Sequence, residues 1–466
     1  MVDVNDPTRS PRHDRPDAEN RSVEAAGGGC PYGGETGAGS RGGPRVPATT
    51  ASGTAHVEDT ERTGDFDSHD PALAEDPFPA YARLRSRCPV SWSEAWGGFW
   101  VAAGHAEASR AGREGVFRTG HLLPDGTIQG VTIPPLGQTG RLVPLEADPP
   151  RNLKYRKLLS SFYSAGRVRA RMPEFRRLAR ESLDAVISQG TGDLVTALTL
   201  RVPGIVTMRD LGLPDDRWFE MDSLVHRALL AAPHDLPGAR AHAQQITMAL
   251  VEELDVRQEH GSDSADRSVL PALIEATVDG EPVSDEDILS MLYLILLGID
   301  PVSSLTATAL LHLAEHPRLR DRLIADPSLV PRAAEEYARW MSPVQGTSRT
   351  AGEDTELGGR TLRAGERVFV SWASANRDEA VFPHPDTVDL DRDTAGHLAF
   401  GAGPHYCLGA SLVRALFTVM LEEVLTRIPD YRVSDRDAVT WFPDITSFYG
   451  VTSLPVHFTP QPARIA

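Results

Sequence analysis

Residues 397–427, HLAFGAGPHYCLGASLVRALFTVMLEEVLTR, place one cysteine, Cys407, between a glycine-rich turn and a strongly periodic helix. A thiol acts as nucleophile or metal ligand only as the thiolate. The start of a helix favours that anion, because free backbone N–H groups and the helix dipole stabilise negative charge. Amides near Leu408 and Gly409 are expected to donate to the sulfur and lower its pKa. Gly401 and Gly403 allow a tight turn whose backbone can approach a flat ligand closely. A lone cysteine among glycines most simply reads as a buried structural residue. The regular pattern F-x-x-G-x-H-x-C-x-G, which here runs from Phe400 through His405 and Cys407 to Gly409, does not.

Four other stretches carry candidate chemistry. In AAEEYARWMSP, Glu336 and Arg339 stand three apart, so on a helix they share a face and can pair. EADPPRNLKYRKLLSSFYS offers Asn152 and Arg156, and GTSRTA offers Arg349. The fourth, LILLGIDPVSSL, ends a nearly unbroken apolar run, Ile288 to Ile299, with the pair Asp300-Pro301. A proline inside a helix deletes a backbone donor and costs roughly 3 kcal/mol. Two readings are open. In one, Asp300 caps a fresh helix with Pro301 at its first position. In the other, Pro301 cannot donate to the carbonyl of Leu297, which leaves a wet groove over whatever lies opposite.

In this order, across residues from about 70 to 460, the segments resemble the cytochrome P450 family. Every position of that family's haem-binding loop is matched. The resemblance implies that Cys407 is the axial thiolate of haem b, with Phe400, Gly401, His405 and Gly409 around it. It implies that Glu336 and Arg339, joined by Arg392 of VDLDRDTAGHLAFG, hold the cysteine loop under the haem. It also places Asn152, Arg156, Arg349 and His405 at the haem propionates, with Asn152 standing where the family usually has histidine. The LGIDPV stretch is similar to the family's A/G-G-x-[D/E]-T on the opposite, distal helix. Gly298 and Asp300 match, whereas Pro301 replaces the threonine and Leu297 the small residue. Hydroxyls remain at Ser303 and Ser304, so the candidate catalytic set is Gly298, Asp300 and Ser304. Without the threonine, proton supply falls to water or substrate. That raises the case for radical C–C, C–N or C–O coupling beside ordinary hydroxylation.

Among the elements that must position these residues, helical patterns cover 149–164, 167–189, 191–211, 215–230, 237–259, 267–277, 284–316, 317–325, 330–341 and 408–427. Short strands fit VSWSEAWGGFWVAAG, LGGRTL, RVFVSWA and the last thirty residues. The fold class is mainly α with a minor β part, as in the cytochrome P450 fold, in a single large domain over 69–466. Residues 1–68 read as a disordered tail: nine of the seventeen residues from Gly27 to Gly43 are glycine, too little apolar surface to offset the entropy of ordering. Between His121 and Ala147 runs a long Gly/Pro-rich loop of the kind that covers a site. Candidate pocket residues are Ile295, Ile299, Val344, Gln345, Phe448 and Tyr449.

A net charge of −18 and a pI near 5.3 argue against nucleic-acid and membrane partners. Three scattered cysteines fit a reducing cytoplasm, and the 288–299 run is too short to span a bilayer. A cytoplasmic monomer acting on a small-molecule substrate is expected. The chain shows no flavin or nicotinamide fingerprint, so the family resemblance implies electrons from a separate ferredoxin and ferredoxin reductase. Arg151, Lys154, Arg156 and Lys157 form a basic cluster suited to docking it, with Lys154 and Lys157 the better candidates. The expected activity is monooxygenase-type oxidation in secondary metabolism. A haem-thiolate sensor without turnover, a peroxide-driven enzyme and a redox-neutral enzyme remain as alternatives.

Overall fold

The computed structural model describes residues 66–122, 128–134, 141–231, 234–261, 266–445 and 448–462. Most of the tail expectation, 1–65, and Cys30 with it, lies outside the described residues. Residues 66–68, grouped with the tail from sequence, belong to the folded body. Phe66 packs on Tyr81 and Phe369, and Ser68 is buried.

Two long apolar elements organise the helical body. The first is a helix pair, Asp285–Leu296 and Ile299–Glu315, starting at Ser284, whose side chain caps the amide of Asp287. The second is Ala410–Arg427. The pair packs on Arg201–Leu211 and Val330–Met341, and Ala410–Arg427 packs on Met172–Ile187 and Val330–Met341. By length and hydropathy the stretch Asp285–Glu315 could cross a membrane, but most of it lies inside the core.

The minor β part is a five-stranded sheet in the order Val90–Ser93, Phe99–Ala102, Arg367–Ser371, Gly346–Ala351, Phe117–Arg118. Only the pairing of Phe99–Ala102 with Arg367–Ser371 is parallel. Its Gly346–Ala351 strand sets Arg349 opposite Val368 and holds that arginine against Thr347, which lines the central cavity.

Several boundaries differ from the sequence reading for local reasons. The 191–211 helix begins at Val195, with a turn of π-helix to Thr199 before the regular Arg201–Leu211, because Thr191–Asp193 pairs as a strand with Pro455–His457. The 267–277 helix stops at Ile274, and Thr277–Val278 turns back on Glu281–Pro282 through Asp279 and Gly280, both with positive φ, as an Asp-Gly hairpin demands. The helix His105–Arg113, flanked by glycines, carried too weak an apolar pattern to be read.

Candidate active site

The cysteine turn is fixed before it meets any ligand. Cys407 N–H donates to the Phe400 carbonyl at 2.9 Å, which closes the loop. Gly401 and Gly403 have φ of 73° and 66°, so both need glycine's left-handed freedom. Their roles differ from the expectation. Gly401 borders the central cavity, whereas Gly403 presses on the His105–Arg113 helix, where an added Cβ would sit 2.5 Å from the Gly112 carbonyl. The amides of Gly409 and Ala410, rather than Leu408, reach the sulfur. Burial nonetheless pushes the free thiol above its ordinary pKa, outweighing those amides and the charges of Arg156 and Arg414. The expected lowering therefore does not come from the protein alone; a bound metal would supply it.

Behind the turn lies a buried ion cluster. Arg339 holds Glu336 through two bonds of 2.8 Å, and Arg392 meets the same carboxylate at 3.1 Å. The side chains of Arg339 and Glu336 are 0% and 1% exposed. Arg339 also donates to the carbonyls of Asn376 and Pro385, both at 2.9 Å. Asn376 in turn accepts from the Leu398 amide at 2.6 Å, which carries the clamp into the cysteine loop. On the other flank Glu335 joins His397 and Arg414, and the Arg414 guanidinium lies 4.3 Å from the centre of the Phe400 ring.

Above the sulfur is a cavity of about 370 Å³. Cys407, Leu408, Gly409, Leu412 and Val413 form its floor, and Leu294, Ile295, Leu297, Gly298, Pro301 and Val302 its roof. The roof helix is interrupted at Leu297–Gly298 and resumes at Ile299, so the first sequence reading of Asp300-Pro301 holds in part. A helix does restart, but Gly298 occupies the cap position and Pro301 the third helical residue. There its missing N–H would have had no intrahelical partner.

Asp300 and Ser304 do not border the cavity. The Asp300 carboxylate is buried and turned towards His226 of the Trp218–Ala231 helix, with Oδ1 3.8 Å from Nδ1. Ser304 packs against Gly450, where an added Cβ would lie 2.7 Å away. Of the candidate pocket residues, Ile295, Val344 and Phe448 line the wall. Ile299 is buried in the core, Gln345 donates to the carbonyls of Met341 and Ser342, and the Tyr449 hydroxyl donates to Glu75.

At the cavity rim the polar residues suit a ligand with anionic arms. Arg349 is 3% exposed and bonds only to Thr347 and Ser348, with no carboxylate pairing with it among the described residues. Burial pushes its pKa down to about 10, so the guanidinium stays charged at neutral pH. Arg156 borders the cavity and donates to the Tyr406 carbonyl at 2.7 Å. His405 also borders it. Its Nδ1 has no partner, and burial with the nearby Arg349 charge pushes its pKa down to about 4. Two cations without carboxylates and an idle imidazole nitrogen fit the propionates of haem, as a buried sulfur under a flat apolar slot fits its iron. Asn152 does not join them. It is fully buried beneath the loop, 3.4 Å from the Pro404 carbonyl, so it props the turn instead.

Sequence reasoning missed Asp148, which accepts from the Thr119 amide at 2.9 Å while Thr119 Oγ1 lies 3.4 Å from His405. Its place in the DPP segment was the available signal. It also missed Tyr163, Thr207 and Asp210 on the cavity wall; Asp210 follows Arg209 as if on a solvated face, so nothing marked it.

A helical body with a cysteine turn beneath a broken roof helix defines a haem-thiolate protein. Residues 215–436 match the family model described as Cytochrome P450. The steroid C26-monooxygenase of Mycolicibacterium smegmatis is 34% identical over 71% of this chain and 82% of its own length. Pentalenic acid synthase of Streptomyces avermitilis is 32% identical over 82% of this chain and 94% of its own. The crystal structure of CYP105P1 in complex with filipin I superposes with a TM-score of 0.74 at 27% identity, covering 86% of this chain and all of that one. The chain belongs to the cytochrome P450 family. It is a monooxygenase-type oxidoreductase, and its cofactor is haem carried on a cysteine thiolate.

Proposed function

We propose that this chain oxidises a small, largely apolar organic molecule in bacterial secondary metabolism, using haem b held by Cys407 and electrons from a separate ferredoxin. The observation that carries the reading is the Cys407 sulfur on the floor of an apolar cavity, met by the amides of Gly409 and Ala410. Pentalenic acid synthase and the steroid monooxygenase support the substrate class by their names. When bound, a thiolate-ligated haem supplies the reductive activation of dioxygen.

The chain's own residues do the rest. Arg156, Arg349 and His405 bind the propionates, while Phe400, Gly401 and Gly409 shape the slot beneath the ring. Gly298 keeps the roof thin at its break, and the apolar wall excludes water and orients substrate. Asp300 is turned to His226 at the roof's outer face. Since the cavity takes no hydroxyl from the roof helix, oxidative coupling of C–C, C–N or C–O bonds stands as a second reading beside hydroxylation. Cytoplasmic residence is supported by the free cysteines Cys88 and Cys407.

The decisive test is the reduced, carbon-monoxide-bound spectrum of the reconstituted protein. The long-wavelength thiolate band is expected in the native chain and absent in Cys407→Ala; a variant that kept it would end the assignment. For the electron donor, Lys157 is exposed and makes no ion pair among the described residues, whereas Lys154 is already engaged by Asp279 at 2.5 Å. Lys157→Glu is expected to slow reduction by ferredoxin and leave substrate affinity unchanged. Equal reduction rates would rule out that docking face.

A further inference from the structure

The cavity wall holds a polar corner that haem binding does not use. Asp210 of the Arg201–Leu211 helix is the single carboxylate among the described residues that line the cavity, and Tyr163 and Thr207 line it too. Asp210 and Tyr163 are each 8% exposed. One Asp210 oxygen, Oδ1, takes a hydrogen bond from Arg171; the other, Oδ2, has no partner, and neither has the Tyr163 hydroxyl. Two idle polar atoms bordering one cavity suit an ordered water between them.

The outer side of Asp210 is equally specific. Arg171 pairs with Glu174 at 2.9 Å, Glu174 with Arg209 at 3.3 Å, and Arg209 with Asp215 at 2.7 Å. The Asp215 side chain is 44% exposed, so charged groups continue from the cavity wall to solvent. Their guanidinium links keep their own protons, and the row serves by ordering the water that carries protons to Asp210. The roof offers no comparable path, because Asp300 faces His226, Ser304 packs on Gly450 and Pro301 has no N–H.

We propose that Asp210 is the inlet by which protons reach the cavity from solvent, with a water held between it and Tyr163 as the inner station. The inference rests on the haem-thiolate reading. Converting R–H, dioxygen, two electrons and two protons into R–OH and water requires those protons inside a closed, apolar space, and the ferredoxin supplies only the electrons. Burial raises Asp210 to about 6, with Arg171 and Arg167 opposing and Glu174 assisting. Tyr163 faces it from the turn before the Ala165–Ala170 helix, while Arg209 on its own helix is turned to Glu174 and Asp215. Such a group can hold and release a proton at working pH.

Full-length haem-loaded protein with Asp210→Asn gives the test, read three ways. The reduced carbonyl spectrum should be unchanged. A carboxylic C=O band that titrates through about 6 in infrared difference spectra of the native protein should vanish. Product formed per reductant consumed should fall by roughly tenfold to a hundredfold, with a larger solvent deuterium effect and unchanged KM. Native-like turnover and deuterium effect in the variant, or the same infrared band, overturn the proposal. Should Asp210→Asn leave Arg171 with Glu174 alone and the protein unstable, the double change Asp210→Leu with Arg171→Leu removes both charges into apolar packing and should show the same loss. Native-like turnover there also overturns it. A native protein without the thiolate band would instead strike the haem reading, while the infrared titration still decides whether Asp210 exchanges a proton.

Discussion

The floor and the roof of the cavity are held in opposite ways. On the floor side every turn is tied by charge: Glu336 receives Arg339, Arg392 and the Asp389 amide, while Glu335 receives His397 and Arg414. The roof helix turns its polar groups away from the cavity. Ser303 lies 3.1 Å from Thr199, Thr306 donates to Val302, and Thr308 accepts from the Val451 amide. What faces inward from the roof is apolar. A ligand that must be held in one place needs a floor with a single arrangement. A roof over varied organic substrates needs shape, and it can leave proton supply to the wall.

The contrast breaks most visibly at its strongest point. Arg339→Ala leaves Glu336 buried with half its partners gone. Breaking a buried pair this way costs about 3–5 kcal/mol. A large fall in the thermal midpoint, together with loss of haem retention, is expected; a stable variant that keeps haem would show that the clamp is not what holds the floor.

A smaller effect comes from the second clamp. Burial works against the charge of Glu335, but hydrogen bonds from His397 and Arg414 outweigh it and hold its pKa at about 2, below the ordinary 4.5. A depressed carboxylate contributes its stability above the ordinary value and loses it as pH falls from about 4.5 towards 2. The contribution is on the order of 3 kcal/mol. In acid unfolding curves, Glu335→Gln should be less stable than the native protein at neutral pH and converge with it near the acid end of that window. Parallel curves would remove Glu335 from the account of the floor.

The floor was legible because its residues sit close together in sequence and their roles follow from type: a cysteine in a fixed glycine pattern, and Glu336 and Arg339 one helical turn apart. A helix end was legible where a cap marked it, as at Ser284. The roof was legible as an apolar helix with a fault, but the fault falls at Leu297–Gly298 instead of at Pro301. The proline signals a first turn, and its place within that turn depends on packing the sequence does not display. The wall was not legible. Tyr163 closes the stretch that carries Arg156, but Thr207 and Asp210 come from a helix far from the other motifs, and the three side chains meet only when the body folds. Asn152 was read by its position in a motif, yet its short neutral side chain reaches Pro404 and not the cavity.

The smallest expected effect is at the proline itself. Pro301→Thr restores an N–H and adds a hydroxyl at a residue that lines the cavity. The position lies in the first turn, where the extra N–H gains no intrahelical acceptor, so the main energetic change is a freer unfolded chain, about 0.4–1 kcal/mol less stable. If protons arrive through Asp210, the new hydroxyl meets no supply from Asp300, whose carboxylate remains turned to His226. Product per reductant should then stay within about twofold of the native value, against the roughly hundredfold a positioned proton donor can add. A gain near that larger figure would show that the roof limits turnover, and the division of labour between roof and wall would fail. An unchanged ratio here, with a sharp loss in Asp210→Asn, would place proton supply on the wall by two independent changes of opposite outcome.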